Sequence, residues 1–416
     1  MIGGLFKSAS RVALIAAAGV LAGSVAAQAA DLGGNCCADL EERVAELEAT
    51  AARKGNRKVS LTVYGRVNKA ILWHDSDEAD AYRSDKLTVR DNSAASSLFG
   101  FRGEAQVRPG LTAGYNMEIQ VYEDASVNSN EGKVFTIRHN YVYLDSATFG
   151  RVSLGQTSQV TDGLYEINLA NAMKVPGVIN EEDSFLGSRF STTFADNIDG
   201  GRKQGIYYRT PSLAGFILSA GYSHDTGPGA GTGITADNKF DANDYWEVAL
   251  RYAGEFNGVR VAAGIGYRAM KDNTRVWDAA DTETILGSGS VMHTPTGLFV
   301  SGGYASVDSD DHEGAKKDAF WVMAGVEKNW FGVGNTTLFA EYGEIDFDNN
   351  FAAYDYHDDK PARDGNFWGL GVTQTIDAAA TDLYLNFRKY KIDDLTANLP
   401  EGNEASVVIG GMMIKF

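Results

Sequence analysis

Long apolar runs, cysteine and positive charge are what this 416-residue sequence has least of. Past Ala27 no stretch approaches the ~18 apolar residues that a membrane-crossing helix needs, which excludes a helical bundle in lipid. The two cysteines, Cys36 and Cys37, cannot staple a chain of this length, so its stability must come from burial or closure. With 37 Lys+Arg against 55 Asp+Glu the net charge is -18, and the basic stripe that nucleic acid requires is missing. What is abundant is glycine and aromatics: 47 Gly, 19 Tyr and 20 Phe. A disordered acidic chain lacks aromatics, so that class is excluded too.

The first residues carry a compartment signal. Lys7 and Arg11 precede an apolar run, Val12 to Ala27, which ends in Ala27-Gln28-Ala29. This order of charge, apolar run and small-x-small pattern predicts a secretory signal peptide over residues 1–29. Its removal takes away two positive charges and leaves the chain more acidic. Cys36 lies well past the cleavage point behind Gly33-Gly34-Asn35, which argues against a lipid-anchored cysteine.

Within residues 30–58 the spacing of Leu40, Val44, Leu47 and Ala51 predicts a short helix over 36–55, ended by Gly55-Asn56. Two readings stay open: a frayed amphipathic linker, or a periplasmic helix that associates between subunits joined elsewhere. The seam is too short to hold a coiled coil by itself.

From Val59 the period changes to two. Val59, Leu61, Val63, Val67 and Ile71 alternate with Ser60, Thr62, Tyr64, Arg66 and Asn68. Such alternation predicts a strand with one apolar and one polar face. The pattern recurs to Phe416 and yields sixteen segments, near 59–72, 96–107, 112–122, 134–145, 149–156, 203–210, 215–224, 244–254, 259–270, 284–292, 298–307, 317–328, 335–346, 364–376, 381–391 and 404–416. Short connections alternate with long ones throughout. A transmembrane barrel has this layout, with short periplasmic turns and longer outer loops. The polar face carries Arg66, Arg102, Glu104, Glu118, Arg138, Arg251, Arg268, Glu341 and Arg388, too many charges for a dry core. A barrel of about sixteen strands leaves an aqueous channel, whereas about eight strands leave room only for side chains. Trp246, Tyr252, Tyr267, Tyr304 and Trp368 fall on apolar faces, as an interfacial girdle needs. The predicted fold is therefore all-β: a sixteen-stranded antiparallel transmembrane β-barrel over 59–416, with a short N-terminal periplasmic helix.

The connection 157–202 is far longer than the others, and a loop of that size is commonly functional. Leu164, Ile167, Leu169, Val175, Val178, Ile179 and Phe185 give it apolar surface on which to pack. Its acids, with Asp162, Glu166, Glu181, Glu182 and Asp183 as the candidates, predict one side of a constriction. The opposite wall would carry Arg66, Arg102, Arg138, Arg209 and Arg388. Charges opposed across a narrow opening orient solutes and set ion preference. The overall balance leans toward cations, but the field at the narrowest point decides. Acidic clusters in other long connections lack the spacing of a calcium loop, so no metal site is expected. The six histidines form no zinc, hydrolase or nucleotide motif, and neither a catalytic residue nor a cofactor is expected.

The last strand, with Val408, Gly410, Met412, Ile414 and Phe416 on one face, resembles the C-terminal strand of bacterial outer-membrane barrels. Their terminal aromatic is read by the barrel assembly machinery, which assigns that role to Phe416. Four blocks resemble general-diffusion porins: Ser97 to Glu104 (SLFGFRGE), Thr136 to Leu144 (TIRHNYVYL), Phe149 to Gln156 (FGRVSLGQ) and Gly205 to Pro211 (GIYYRTP). The segment from Cys36-Cys37-Ala38-Asp39-Leu40-Glu41-Glu42 to Gly55-Asn56-Arg57-Lys58-Val59 resembles alphaproteobacterial porins in particular. The resemblance implies a homotrimeric outer-membrane channel for passive diffusion of small hydrophilic solutes and ions. It also implies a third outer loop folded into the pore and lipopolysaccharide as a neighbour. A substrate-specific channel is the alternative. After cleavage the chain would begin Ala30-Asp31, a start associated in such barrels with attachment to peptidoglycan.

Overall fold

The computed structural model describes residues 58–76, 87–121, 135–172, 194, 198–225, 243–273, 281–310, 316–348, 364–392 and 404–416. Residues 1–29, the segment 36–55 and both cysteines lie outside the described residues. The described chain is almost wholly strand: β1 Thr62–Ser76, β2 Leu87–Asp91, β3 Leu98–Arg108, β4 Leu111–Val121, β5 Phe135–Ser146, β6 Gly150–Ser158, β7 Arg202–Arg209, β8 Phe216–His224 and β9 Asp244–Phe256. The second half continues with β10 Val259–Lys271, β11 Thr282–His293, β12 Leu298–Ser309, β13 Lys316–Lys328, β14 Thr336–Asp348, β15 Gly365–Ile376, β16 Thr381–Ile392 and β17 Glu404–Lys415.

From β3 onward each strand pairs antiparallel with the next, and β17 pairs back onto β1 from Arg66↔Lys415 to Ser76↔Ala405. The terminal residue completes the ring: Gly65 N donates to Phe416 O at 2.8 Å, and Phe416 N donates to Gly65 O at 3.0 Å. Among the described residues β1 and β3 to β17 form a closed ring, which is what lipid demands of a spanning sheet, and β2 pairs with β1. The barrel thus has sixteen staves built from seventeen strands.

The extra strand is β2, which falls inside the stretch 73–95 that the sequence pattern assigns to a loop. β1 pairs with β3 over Thr62–Arg66 and with β2 over Lys69–Trp73, so β2 and β3 share one stave. The break between them is bridged by side chains. Asn68 N donates to Ser97 Oγ at 2.9 Å, Asn68 Nδ2 donates to Ala95 O at 3.0 Å, and Asp91 accepts from Ser97 N at 2.8 Å. Asn92 caps the intervening turn by accepting from Ala94 N. Polar side chains here replace the missing rungs, and β2 is short: the exposed Leu87 and Val89 alternate with Thr88 and the buried Arg90 over five residues.

The faces separate as the period-two reading predicts. Val63, Val67 and Ile71 on β1, Val152 and Leu154 on β6, and Leu383 and Leu385 on β16 all stand exposed on the outside. Trp246, Tyr304 and Trp368 are exposed with them. Charged and hydroxyl side chains fill the interior. Seven tight connections lie at one rim. Two of them place consecutive residues at positive φ, Ala214-Gly215 (51° and 85°) and Asn257-Gly258 (49° and 76°), the backbone that two-residue hairpins need.

Many interior and exterior rings lie across a glycine on the neighbouring strand. A Cβ on Gly100 would stand 2.5 Å from the Tyr64 ring, one on Gly114 2.2 Å from Tyr143, one on Gly371 2.1 Å from Phe339 and one on Gly65 2.6 Å from Phe416. The ring fills the space that the missing side chain leaves and covers the exposed backbone. This accounts for glycine and aromatics being abundant together.

Phe416→Ala keeps both backbone bonds to Gly65 and removes only the ring. The barrel should still fold, with its urea midpoint lowered by an amount equivalent to about 1 kcal/mol. An unchanged midpoint would show that the ring adds nothing to closure.

Candidate channel constriction

The 159–201 connection leaves the rim between β6 and β7 and turns into the barrel. Its first limb, 159–172, is tied to the inner wall along most of its length. Gln159 Nε2 donates to Ser223 Oγ on β8 at 3.1 Å. Glu247 on β9 accepts from Val160 N at 3.1 Å and from the Thr161 hydroxyl. Arg251 Nη2 donates to Asp162 O at 2.8 Å. Ser288 on β11 donates to Leu164 O at 2.6 Å and accepts from Ile167 N at 2.9 Å, and Ser290 accepts from Leu169 N at 3.0 Å. Trp321 Nε1 on β13 donates to Tyr165 O at 2.7 Å. Asn171 ends the run near the opposite rim. Its N–H donates to Glu327 at 2.7 Å, and its amide donates to Thr375 at 2.9 Å and Asp382 at 3.0 Å.

The wall under this limb is built from small residues, which is why the chain can lie so close. A Cβ on Gly264 or Gly266 would stand 2.5 Å from a Leu164 methyl, and one on Gly303 would stand 2.8 Å from Tyr165 O. Leu164 and Tyr165 are fully buried there, with Ile167 and Leu169 packed alongside. The return limb is held separately. Arg268 donates to Asp199 O at 2.7 Å and to Ile198 O at 3.2 Å, and Asp199 accepts from Gly163 N at 2.9 Å, which joins the two limbs. Phe194 rests on Tyr390 and Phe367, with centroids at 5.3 and 6.4 Å. Apart from a hydrogen bond between Asp162 and Ser158 at the end of β6, the wall hydrogen bonds of the first limb described above fall on β8 to β16.

Of the candidate acids, Asp162 and Glu166 lie on the first limb, where Asp199 joins them. The charges of Arg202 and Arg138 act on Asp162, and that of Arg202 acts on Glu166. Burial, followed by repulsion from Asp199 and Asp162, pushes the Glu166 carboxyl up to about 8. Burial and then Asp162 push Asp199 up to about 7. Burial raises Asp162 as well. Glu181, Glu182 and Asp183 lie outside the described residues.

The candidate arginines divide into three groups. Arg66, Arg102 and Arg138 stand on the wall that faces the docked limb. Arg66 Nε donates to Ser96 O at 2.9 Å, and Arg138 donates to Glu118 at 3.0 Å and Gln120 at 2.6 Å. Arg102 lies over the Tyr64 ring at 5.3 Å. Arg138 occupies a β-bulge: Glu118 pairs with His139 and Ile119 with Ile137, so Arg138 is unpaired in the ladder and shares Glu118 with His139. Arg209 sits at the end of β7 beside a tight turn, close to Asp145 at 3.9 Å. Arg388 is fully buried instead of presented to open lumen. Its Nε and Nη2 donate to Glu341 Oε1 at 2.8 and 2.7 Å, beneath the Phe367 ring at 4.5 Å. Gly369, between Glu341 and Arg388 in the register, lets the two meet; a Cβ there would stand 2.7 Å from the carboxylate. Arg388 is part of the platform that carries Phe194.

Arg202, Arg251 and Arg268 matter more than the sequence reading allowed. Arg202 opens β7 straight after Gly200-Gly201, and its position as the first residue returning from the longest loop was the available signal. Nothing local marked Arg251 and Arg268 as clamps on loop carbonyls, because their partners lie 89 and 69 residues away.

A closed barrel with a polar interior, an apolar belt and one loop docked inside is the architecture of an outer-membrane diffusion channel. A family model described as Gram-negative porin matches residues 13–395, and the chain belongs to that family. Similar solved structures include the anion-selective porin from Comamonas acidovorans, 18% identical, covering 86% of this chain and 100% of that one at a TM-score of 0.58. The outer membrane channel DcaP of Acinetobacter baumannii is 14% identical, covering 88% and 100% at 0.57. The in-vitro folded OmpT of Vibrio cholerae, in its trimer form, is 15% identical, covering 86% and 99% at 0.54. No curated protein matches the chain. The protein is a porin of the outer membrane that forms a water-filled channel.

The raised loop carboxyls predict pH-dependent selectivity. They are charged at pH 9 and take up protons as the pH falls through 8 to 6, above the ordinary carboxylate range. The potassium-to-chloride permeability ratio, from reversal potentials in a salt gradient, should fall across that window. A ratio constant down to about pH 5 would show that these acids titrate normally.

Proposed function

We propose that the protein is a general-diffusion porin whose narrowest section lies between the acids of the third outer loop and the arginines of β1, β3, β5 and β7. The docking of 159–172 on β8–β16 is the observation that carries this reading. In this reading Asp162, Glu166 and Asp199 form the acidic side, and the charges of Arg138 and Arg202 acting on Asp162 and that of Arg202 acting on Glu166 support it. A transverse field of this kind aligns dipolar solutes, favours those that can turn within it and leaves small ions mobile. Glu181, Glu182 and Asp183 belong to the same acidic side in this reading.

Residues 1–29 act as the export signal, and 30–58 form a periplasmic linker or helix ahead of the barrel. The assembly is a homotrimer, supported by the trimer form of the OmpT relative. Phe416 serves as the signal for the barrel assembly machinery, and lipopolysaccharide surrounds the outer half. Membership of the porin family supports a channel rather than an enzyme. The segment 36–59 supports an alphaproteobacterial branch of the family. Ala30-Asp31 supports attachment to peptidoglycan, which predicts a fraction released only by muramidase.

Planar-bilayer recording tests the channel. Openings should come in groups of three conducting units, and a silent bilayer would overturn the reading. Reversing Glu181, Glu182 and Asp183 to Lys should shift the reversal potential toward anions. An unmoved potential would remove those three from the constriction. Saturation of the current by one particular solute would instead favour a substrate-specific channel.

A further inference from the structure

The wall facing the loop carries a second feature below the constriction, toward the rim of tight turns. The register aligns inner-face residues in rows across β3 to β7. One row runs Glu104, Gly114, Tyr143, Ser153, Tyr207, and the row nearer the turns runs Gln106, Thr112, Asp145, Arg151, Arg209. Tyr143 lies flat across Gly114, in the space a Cβ would take, and its hydroxyl donates to Glu104 at 3.2 Å. The Arg151 guanidinium sits over the Tyr143 ring at 4.1 Å and is steered there by Asp145, which accepts from its Nε at 2.6 Å. Arg209 comes next, half exposed, with the same Asp145 3.9 Å away. One carboxylate therefore serves two guanidiniums, and the Arg209 fork keeps donors for a further acceptor. A similar unit stands on the same wall: Tyr64 flat across Gly100, with the exposed Arg102 over it at 5.3 Å and without an ion pair among the described residues.

We infer that Tyr143, Arg151 and Arg209 form a binding subsite for planar carboxylates at the turn-side mouth of the channel. The inference rests on the channel reading above. A guanidinium stacked on a tyrosine offers its other flat face to a second aromatic ring. Its neighbour then supplies a fork that matches a carboxylate in bidentate geometry. The ring of an aromatic carboxylate stacks on Arg151 while its carboxylate binds Arg209. Tyr64 and Arg102 form a further station of the same chemistry. A saturated ring offers no flat π-face, so the site should separate flat from puckered acids of equal charge.

Benzoate and cyclohexanecarboxylate are the probes, added to the full-length trimer in a planar bilayer. Benzoate should interrupt single-channel current about threefold or more as often as cyclohexanecarboxylate at equal concentration. Addition on the side of the tight turns should give more interruptions than addition on the loop side. Arg209→Gln should lose most interruptions by either acid. Tyr143→Leu should lose the preference for benzoate, and Tyr143→Phe, which keeps the ring, should retain it. Conducting channels that respond equally to both acids, or a preference that survives Tyr143→Leu in conducting channels, would overturn the subsite and leave the channel intact. Silent channels in the unaltered protein would overturn the channel reading and the subsite together.

Discussion

Every backbone N–H and C=O of a spanning sheet must find a partner within the sheet, because the hydrocarbon offers none. The pairing of β17 with β1, finished by the two bonds between Gly65 and Phe416, meets that requirement. Closure forces each strand to present one face to lipid and one to the lumen. It also fixes the register, which decides which side chains become neighbours across strands. The constriction, the buried Glu341–Arg388 pair and the Tyr143–Arg151 stack all follow from that register.

Within the ring the recurring solution is a glycine facing a large side chain. Over Gly264, Gly266 and Gly303 the partner is the loop itself; over Gly100 and Gly114 it is a tyrosine; over Gly369 it is an ion pair. Glycine normally weakens a strand, and the covering group offsets that weakness by shielding backbone and filling space. The wall is therefore divided by function. Its β8–β16 side is low and hydroxyl-rich and receives the loop, while its β1–β7 side keeps arginines and tyrosines standing toward water.

Much of the barrel was legible along the chain. Val63, Val67 and Ile71 against Tyr64, Arg66 and Asn68 sufficed for a two-faced strand, and the alternation of short and long connections sufficed for a barrel with two unlike rims. The apolar residues Leu164, Ile167 and Leu169 marked a loop that packs. Two local features were hidden. β2 escaped because its alternation, Leu87 and Val89 against Thr88 and Arg90, spans five residues and is cut off from β3 by the side-chain rungs of Asn68, Asp91 and Ser97. Arg138 was read on the ordinary period, whereas a bulge sets it beside His139 on Glu118.

The sequence by itself determined the class of the molecule: periodicity of two is local, so the number of staves and the polarity of each face can be counted residue by residue. Only the tertiary structure decided what each charge does. Arg66 and Arg388 occupy equivalent polar positions in their strands, yet the first stands on the wall facing the loop and the second is sealed beneath Phe367. Arg251 and Arg268 look like lumen charges and are loop clamps. The reason is that a charge's role depends on neighbours two strands away or on the loop above it. Those neighbours are brought together by closure and shear of the whole ring, which no short window of the chain contains.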